Sequence, residues 1–299
     1  MLIRQVYIHH PQADVLASML GARQPSLQVL PFPREPSALP ADSAVITFQP
    51  PVWLADQRGV RWVHCSGAGI DGIEVVYPAT RPVVTRTLGC LGQQLGEYAL
   101  SYMLLRSQRI EERAQLAEQR KWSPLEAQPR MLKGQRAILA GTGACAQDIA
   151  RLLSANGVDV LGVSRTGEVR PGFTSVHRIE ALGELLTEAQ TLILALPATA
   201  ATHHLLQHRH FEGTRDLLVI NLGRGSVVAG EVLLEAKRAG QIGMLVLDVF
   251  EEEPLPPHSP FWTEPGVHVT PHVAAVTRLE DIVEDFLASA ADLEVRFQV

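Results

Sequence analysis

Arg136-Ala137-Ile138-Leu139-Ala140-Gly141-Thr142-Gly143-Ala144-Cys145-Ala146 is the stretch that decides the fold, and it runs on into Gln147-Asp148-Ile149-Ala150-Arg151-Leu152-Leu153. A short apolar run, two glycines one residue apart and an amphipathic segment read as strand, tight turn and helix. Gly141 permits the turn, and Gly143 lets backbone approach a pyrophosphate. The helix start then supplies unpaired amides and the positive end of its dipole. The third position of this glycine pattern is Ala146, a variant the pattern tolerates. Downstream, apolar runs at 159–163, 191–196, 217–221, 244–247 and 267–270 alternate with helical segments. Six strands with intervening helices predict a doubly wound dinucleotide-binding domain.

Upstream, runs at 3–8, 27–31, 44–48, 62–65 and 83–85 predict a second α/β unit with a parallel sheet. Met1–Ile8 carries a charge within its apolar run and no small-residue cleavage site, so it reads as a first strand and not a signal peptide. Pro31, Pro33, Pro36, Pro40, Pro50 and Pro51 crowd the connections, where a missing amide is tolerated in surface turns. Leu95, Tyr98, Ala99, Tyr102, Met103 and Ile110 recur at steps of three and four, predicting one long helix over 93–121. A last helix is expected over 279–299.

The chain has 299 residues, 46% of them apolar and 19% charged, with a formal charge of −6. That composition excludes disorder as the main state. Its mild acidity gives no footprint for nucleic acid or an anionic membrane surface. No apolar stretch approaches the ~20 residues of a spanning helix. Cys65, Cys90 and Cys145 lie too far apart for a disulfide framework or a zinc site. The expectation is a cytoplasmic protein of two domains.

The second strand of the dinucleotide unit ends in Ser164-Arg165-Thr166. An NAD site usually places a carboxylate near here, about 20 residues past the glycines, to bind the ribose 2′-hydroxyl. Serine and arginine instead suit a 2′-phosphate, so NADP is favoured, with NAD the alternative. Three further segments stand at expected strand ends: Asn221-Leu222-Gly223-Arg224-Gly225, Leu247-Asp248-Val249-Phe250-Glu251-Glu252-Glu253-Pro254 and Thr270-Pro271-His272-Val273-Ala274. Ligands of open parallel sheets bind at those ends. An arginine fork grips a carboxylate, and a histidine exchanges a proton near neutral pH, oriented by an acid beside it.

Together with Cys65-Ser66-Gly67-Ala68-Gly69-Ile70-Asp71, these motifs in this order resemble the D-isomer-specific 2-hydroxyacid dehydrogenase family over nearly the whole chain. The resemblance implies two doubly wound parallel-sheet domains with a cleft between. A flavodoxin-like substrate domain would take residues 1–95 and 277–299, and a Rossmann cofactor domain residues 96–276. Arg224 is then expected to bind the substrate carboxylate and keto oxygen, His272 to be the acid/base, and Glu253 its partner. Glu253 is chosen over Glu251 and Glu252 because it precedes Pro254. The cofactor is expected to meet Gly141, Thr142, Gly143, Ala144, Cys145, Ala146, Ser164, Arg165, Thr166, Leu196, Pro197, Leu222, Gly223, Asp248 and His272. The substrate is expected to meet Phe48, Gly67, Ala68, Gly69, Arg224, Trp262 and His272, the glycine-turn amides acting as an anion nest. Leu255-Pro256-Pro257, Ser259-Pro260 and Trp262 are similar to the glyoxylate/hydroxypyruvate reductase branch, which implies NADPH-dependent reduction of small 2-oxo acids and a homodimer.

The rival readings are an NAD-linked dehydrogenase of a bulkier or phosphorylated hydroxy acid, and a non-catalytic dinucleotide sensor, which has no need of a proton donor. Asp248 reads more naturally as a structural hydrogen-bonding residue than as a catalyst. His204 and His208, four apart, hint at a metal, but no acid or cysteine stands near them in sequence, so no metal site is assigned.

Overall fold

The computed structural model describes residues 1–77 and 82–297. They form two compact units, Met1–Leu91 with Thr277–Val299, and Gly92–Val276.

In the unit Gly92–Val276, the opening stretch forms the strand Arg136–Ala140 and the helix Ala144–Ala155. Seven strands, all parallel, lie in the order Val267–Val269, Ile242–Leu247, Leu217–Asn221, Thr191–Leu194, Arg136–Ala140, Asp159–Ser164, Ser175–Arg178. Read from the last, this is the doubly wound order 3-2-1-4-5-6 with a seventh strand added. Thr191–Leu194 and Leu217–Asn221 are buried along their whole length, as parallel strands covered on both faces must be. The helix Ala144–Ala155 turns Ala146, Ile149, Ala150 and Leu153 onto the sheet, at the i, i+3, i+4, i+7 spacing of one face. The strand order reverses between Arg136–Ala140 and Thr191–Leu194, so a ligand crevice is expected beyond Ala140 and Leu194.

Two features differ from the sequence expectation. The edge strand Ser175–Arg178 offers one apolar residue, Val176, and so gives no apolar run to recognise. The long helix over 93–121 is two, Leu91–Ser107 and Ile110–Glu118, because Arg109 takes a left-handed backbone (φ 52°) that interrupts the ladder.

The unit Met1–Leu91 with Thr277–Val299 has a five-stranded parallel sheet in the order Gln28–Pro31, Gln5–His9, Ser43–Thr47, Val60–Cys65, Val83–Arg86. Counted along the chain this is 2-1-3-4-5, the flavodoxin-like order. The helix Leu279–Asp292 presses Ile282, Val283, Phe286 and Ala290 onto a core that includes Ile3, Ile46 and Trp62. The expected helix over 279–299 stops at Asp292. Arg296–Phe297 instead pairs with Leu2–Ile3 as a short parallel ribbon, after a turn in which Glu294 has φ 49°. Gln298 and Val299 lie outside the described residues. Among the described residues no helix is long and apolar enough to cross a membrane.

Candidate active site

The two glycines of the dinucleotide turn are glycine for different reasons. Gly141 has φ +105°, and a Cβ there would sit 2.6 Å from the Ala195 carbonyl oxygen, so the fold itself demands glycine. Gly143 has φ −69°, and a Cβ there would meet nothing within 4 Å. Folding does not require a glycine at 143. Open space above the first amides of the helix Ala144–Ala155 fits the close approach of a pyrophosphate. Thr142 lies in the turn, Ala144 and Cys145 begin the helix, and Ala146 is buried against the sheet. These residues fit a dinucleotide.

At the end of the next strand, the Ser164 hydroxyl accepts the Gly167 amide at 3.1 Å and closes a turn that leaves Arg165 and Thr166 exposed. Arg165 enters no ion pair among the described residues. Arg178 is the cross-strand partner of Ser164. It brings a second guanidinium to this side of the sheet, and sequence reasoning missed it along with its strand. Leu196 and Pro197 follow the strand Thr191–Leu194, where the Thr202 hydroxyl donates to the Pro197 carbonyl at 2.6 Å. A Cβ on Gly223 would lie 2.6 Å from the Leu196 carbonyl oxygen, so these two strand-end loops touch. Leu222 is buried beside them.

The three catalytic candidates stand on three strand-end loops, each fixed by a buried or anchored group. Asn221, buried at the end of its strand, accepts the Gly223 amide at 3.1 Å and donates to the Arg224 carbonyl at 3.1 Å, which shapes the turn presenting Arg224. Glu253 accepts the Phe250 amide with Oε1 at 2.9 Å and bonds His272 Nδ1 with Oε2 at 2.8 Å. A carboxylate only accepts, so Nδ1 donates, and Nε2 is the nitrogen left for exchange with a substrate. His272 has φ 55°, a conformation rarely taken by residues other than glycine. Asp248, 3% exposed, holds it there. Its main-chain oxygen accepts the His272 amide at 2.9 Å. Its carboxylate takes the Val273 and Ala274 amides at 2.9 and 3.0 Å and the Thr270 hydroxyl at 2.6 Å. Tyr98 Oη lies 2.6 Å from the same Thr270 oxygen and donates to it, since Thr270 donates onward. Burial raises the Tyr98 phenol above its ordinary range, so it stays a donor. Neither Tyr98 nor Thr270 carried a signal in the sequence beyond helix spacing and strand alternation.

Trp262 closes a short 3₁₀ turn, Pro260–Trp262, half-exposed, its indole donating to the Pro256 carbonyl at 2.9 Å. In the other unit, the Phe48 ring lies against the Gly67 turn, where a Cβ would come within 2.8 Å of it. The amides of Gly67, Ala68 and Gly69 donate to no acceptor among the described residues, as an anion nest requires. Arg86, at the end of its strand, donates to the Ala68 carbonyl at 3.1 Å and brings a cation that sequence reasoning did not single out.

An imidazole held by a carboxylate, at the strand ends of a sheet whose glycine turn fits a dinucleotide, is the equipment of an NAD(P)-dependent oxidoreductase. Residues 100–274 match the model of the D-isomer specific 2-hydroxyacid dehydrogenase NAD binding domain. Glyoxylate/hydroxypyruvate reductase A of Serratia proteamaculans is 33% identical over 97% of this chain and 95% of its own. A D-isomer specific 2-hydroxyacid dehydrogenase of Xanthobacter autotrophicus, solved with NADPH and MES, superposes with a TM-score of 0.87 at 26% identity, covering 99% of this chain and 96% of that one. An NADPH-dependent glyoxylate/hydroxypyruvate reductase of Sinorhizobium meliloti, solved with NADP and sulfate, gives a TM-score of 0.82 at 26% identity, covering 98% and 96%. The chain belongs to the D-isomer specific 2-hydroxyacid dehydrogenase family, in its glyoxylate/hydroxypyruvate reductase branch.

Proposed function

We propose that the protein reduces small 2-oxo acids, glyoxylate and hydroxypyruvate first among them, with NADPH preferred over NADH. The observation that carries the reading is the 2.8 Å bond between His272 Nδ1 and Glu253 Oε2, which fixes the imidazole and leaves Nε2 to act. The bound dinucleotide supplies the hydride that goes to the keto carbon. His272 donates its Nε2 proton to the keto oxygen, giving the 2-hydroxy acid, and Glu253 holds the ring through Nδ1 so that Nε2 is the nitrogen that transfers. Arg224 grips the carboxylate and lowers the energy of negative charge building on the oxygen. Gly67, Ala68 and Gly69 offer backbone amides to a carboxylate, and Phe48 and Trp262 supply apolar walls. Asp248 serves by holding the His272 turn. Gly141, Thr142, Gly143, Ala144, Cys145, Ala146, Leu196, Pro197, Leu222 and Gly223 bound the dinucleotide, with Ser164, Arg165 and Thr166 at its 2′-phosphate.

The names of the relatives support the substrate class, and the absence of a carboxylate at Ser164-Arg165-Thr166 supports the cofactor preference. Steady-state rates with glyoxylate and each cofactor test the preference. Wild type is expected to use NADPH with the higher kcat/KM, and Arg165→Ala to lose about tenfold of it with NADPH while NADH rates hold, which is about 1.4 kcal/mol, near the low end for a charge-assisted contact, as suits an exposed arginine. Equal efficiency with both cofactors in wild type overturns the preference. A homodimer is part of the same reading, supported by the exposure of Trp122, Leu125 and Met131 in the segment after Ile110–Glu118.

A further inference from the structure

Outside the catalytic set, the fold collects His203, His204 and Glu251, whose ligating atoms all lie within 4.8 Å of one another. Sequence spacing favoured His204 with His208 and found no acid beside them, but the structure sends His208 to Glu235, 3.5 Å away. It brings Glu251 across 47 residues to 2.5 Å from His204 Nε2. His204 reaches that position through a left-handed backbone (φ 48°), held by its amide donating to the Ser226 carbonyl at 2.8 Å. The Leu206–Val228 bridge pins the same segment two residues on. The His203 and His204 rings stack with centroids 4.0 Å apart and planes 20° apart. His203 is exposed, and one of its ring nitrogens already lies within 4.8 Å of the ligating atoms of His204 and Glu251.

We propose that His203, His204 and Glu251 form a binding site for a divalent transition-metal cation, with Zn²⁺ the first candidate. Two imidazoles and one carboxylate are a borderline-soft donor set suited to Zn²⁺, and the exposed side leaves the remaining positions to water. Glu251 stands two residues before Glu253, and Ser226 two after Arg224. A bound ion therefore braces the loops that carry both residues. The site is distinct from the reductase reading, because binding is measured without turnover.

Calorimetric titration of the full chain with Zn²⁺ at neutral pH tests it, together with the visible absorption of a Co²⁺ complex. The expected result is one ion per chain, weakened at least about tenfold in His203→Ala and in Glu251→Gln and unchanged in His208→Ala. Far-UV circular dichroism matching wild type certifies that each variant is folded. The ligand-field bands of Co²⁺ are expected to disappear in the first two variants. No uptake by wild type, or equal affinity in wild type, His203→Ala and Glu251→Gln, overturns the proposal.

Discussion

At the residue scale, the paired glycines separate what folding requires from what a ligand requires. Gly141→Ala places a Cβ on the Ala195 carbonyl at a left-handed position, and is expected to cost roughly 1–3 kcal/mol of stability. Gly143→Ala meets no protein atom within 4 Å, and is expected to leave the unfolding free energy within about 0.5 kcal/mol while weakening dinucleotide binding severalfold. Chemical denaturation and fluorescence titration with NADPH check the pair. A Gly143→Ala protein that binds NADPH as wild type does removes that glycine from the phosphate site. Asp248 makes a related point. Nothing in Leu247-Asp248-Val249 announces that one carboxylate will organise a turn more than 20 residues on. That role exists only once the strands Ile242–Leu247 and Val267–Val269 lie side by side.

At the element scale, strand alternation determines which side chains share a face, and Val60–Cys65 sets Trp62 and His64 together. Trp62 stacks on Phe286 with centroids 4.3 Å apart, and His64 meets the same ring edge-on at 5.6 Å. His64 bonds the Thr85 and Thr87 hydroxyls at 2.7 and 3.0 Å, and burial pushes its imidazole down to about 3 from 6.5. Its folded pKa lies below its unfolded one, so the unfolded chain binds the extra proton. The stability is whole above about 6.5 and declines as pH falls toward 3. At pH 5 the loss from this one group is about 2 kcal/mol. Unfolding free energies from urea titrations at pH 7 and pH 5 are expected to differ by that amount more in wild type than in His64→Gln, and equal pH dependence in the two refutes the assignment. Elements were legible in proportion to their apolar content. Leu217–Asn221 and Arg136–Ala140 announce themselves by burial on both faces, whereas Ser175–Arg178 is polar and marginal. The break at Arg109 was hidden because apolar spacing carries on past it to Ile110.

At the scale of the whole molecule, the charge of −6 disfavours anions slightly, so the proposed binding of an anionic keto acid and NADPH would have to rest on local groups such as Arg224 and Arg165. Trp122, Leu125 and Met131 are 97%, 81% and 74% exposed within ten residues, a patch a second copy of the chain would cover. Light scattering is expected to give twice the chain mass for wild type and a shift toward the monomer for Trp122→Glu; a monomeric wild type rules the dimer out. The strand, glycine turn and helix of the dinucleotide unit were readable in the sequence, and Glu253, singled out there beside Pro254, does bond His272. The supporting groups Asn221, Tyr98 and Thr270, and the meeting of His204 with Glu251, were not readable, because each is a product of tertiary packing between distant segments. The most direct test of the account is the rate of NADPH oxidation with glyoxylate in wild type and in His272→Ala. The account predicts steady turnover in wild type and a loss of about 10²–10⁴ in kcat for the variant, with NADPH binding retained. Wild-type turnover in His272→Ala contradicts it.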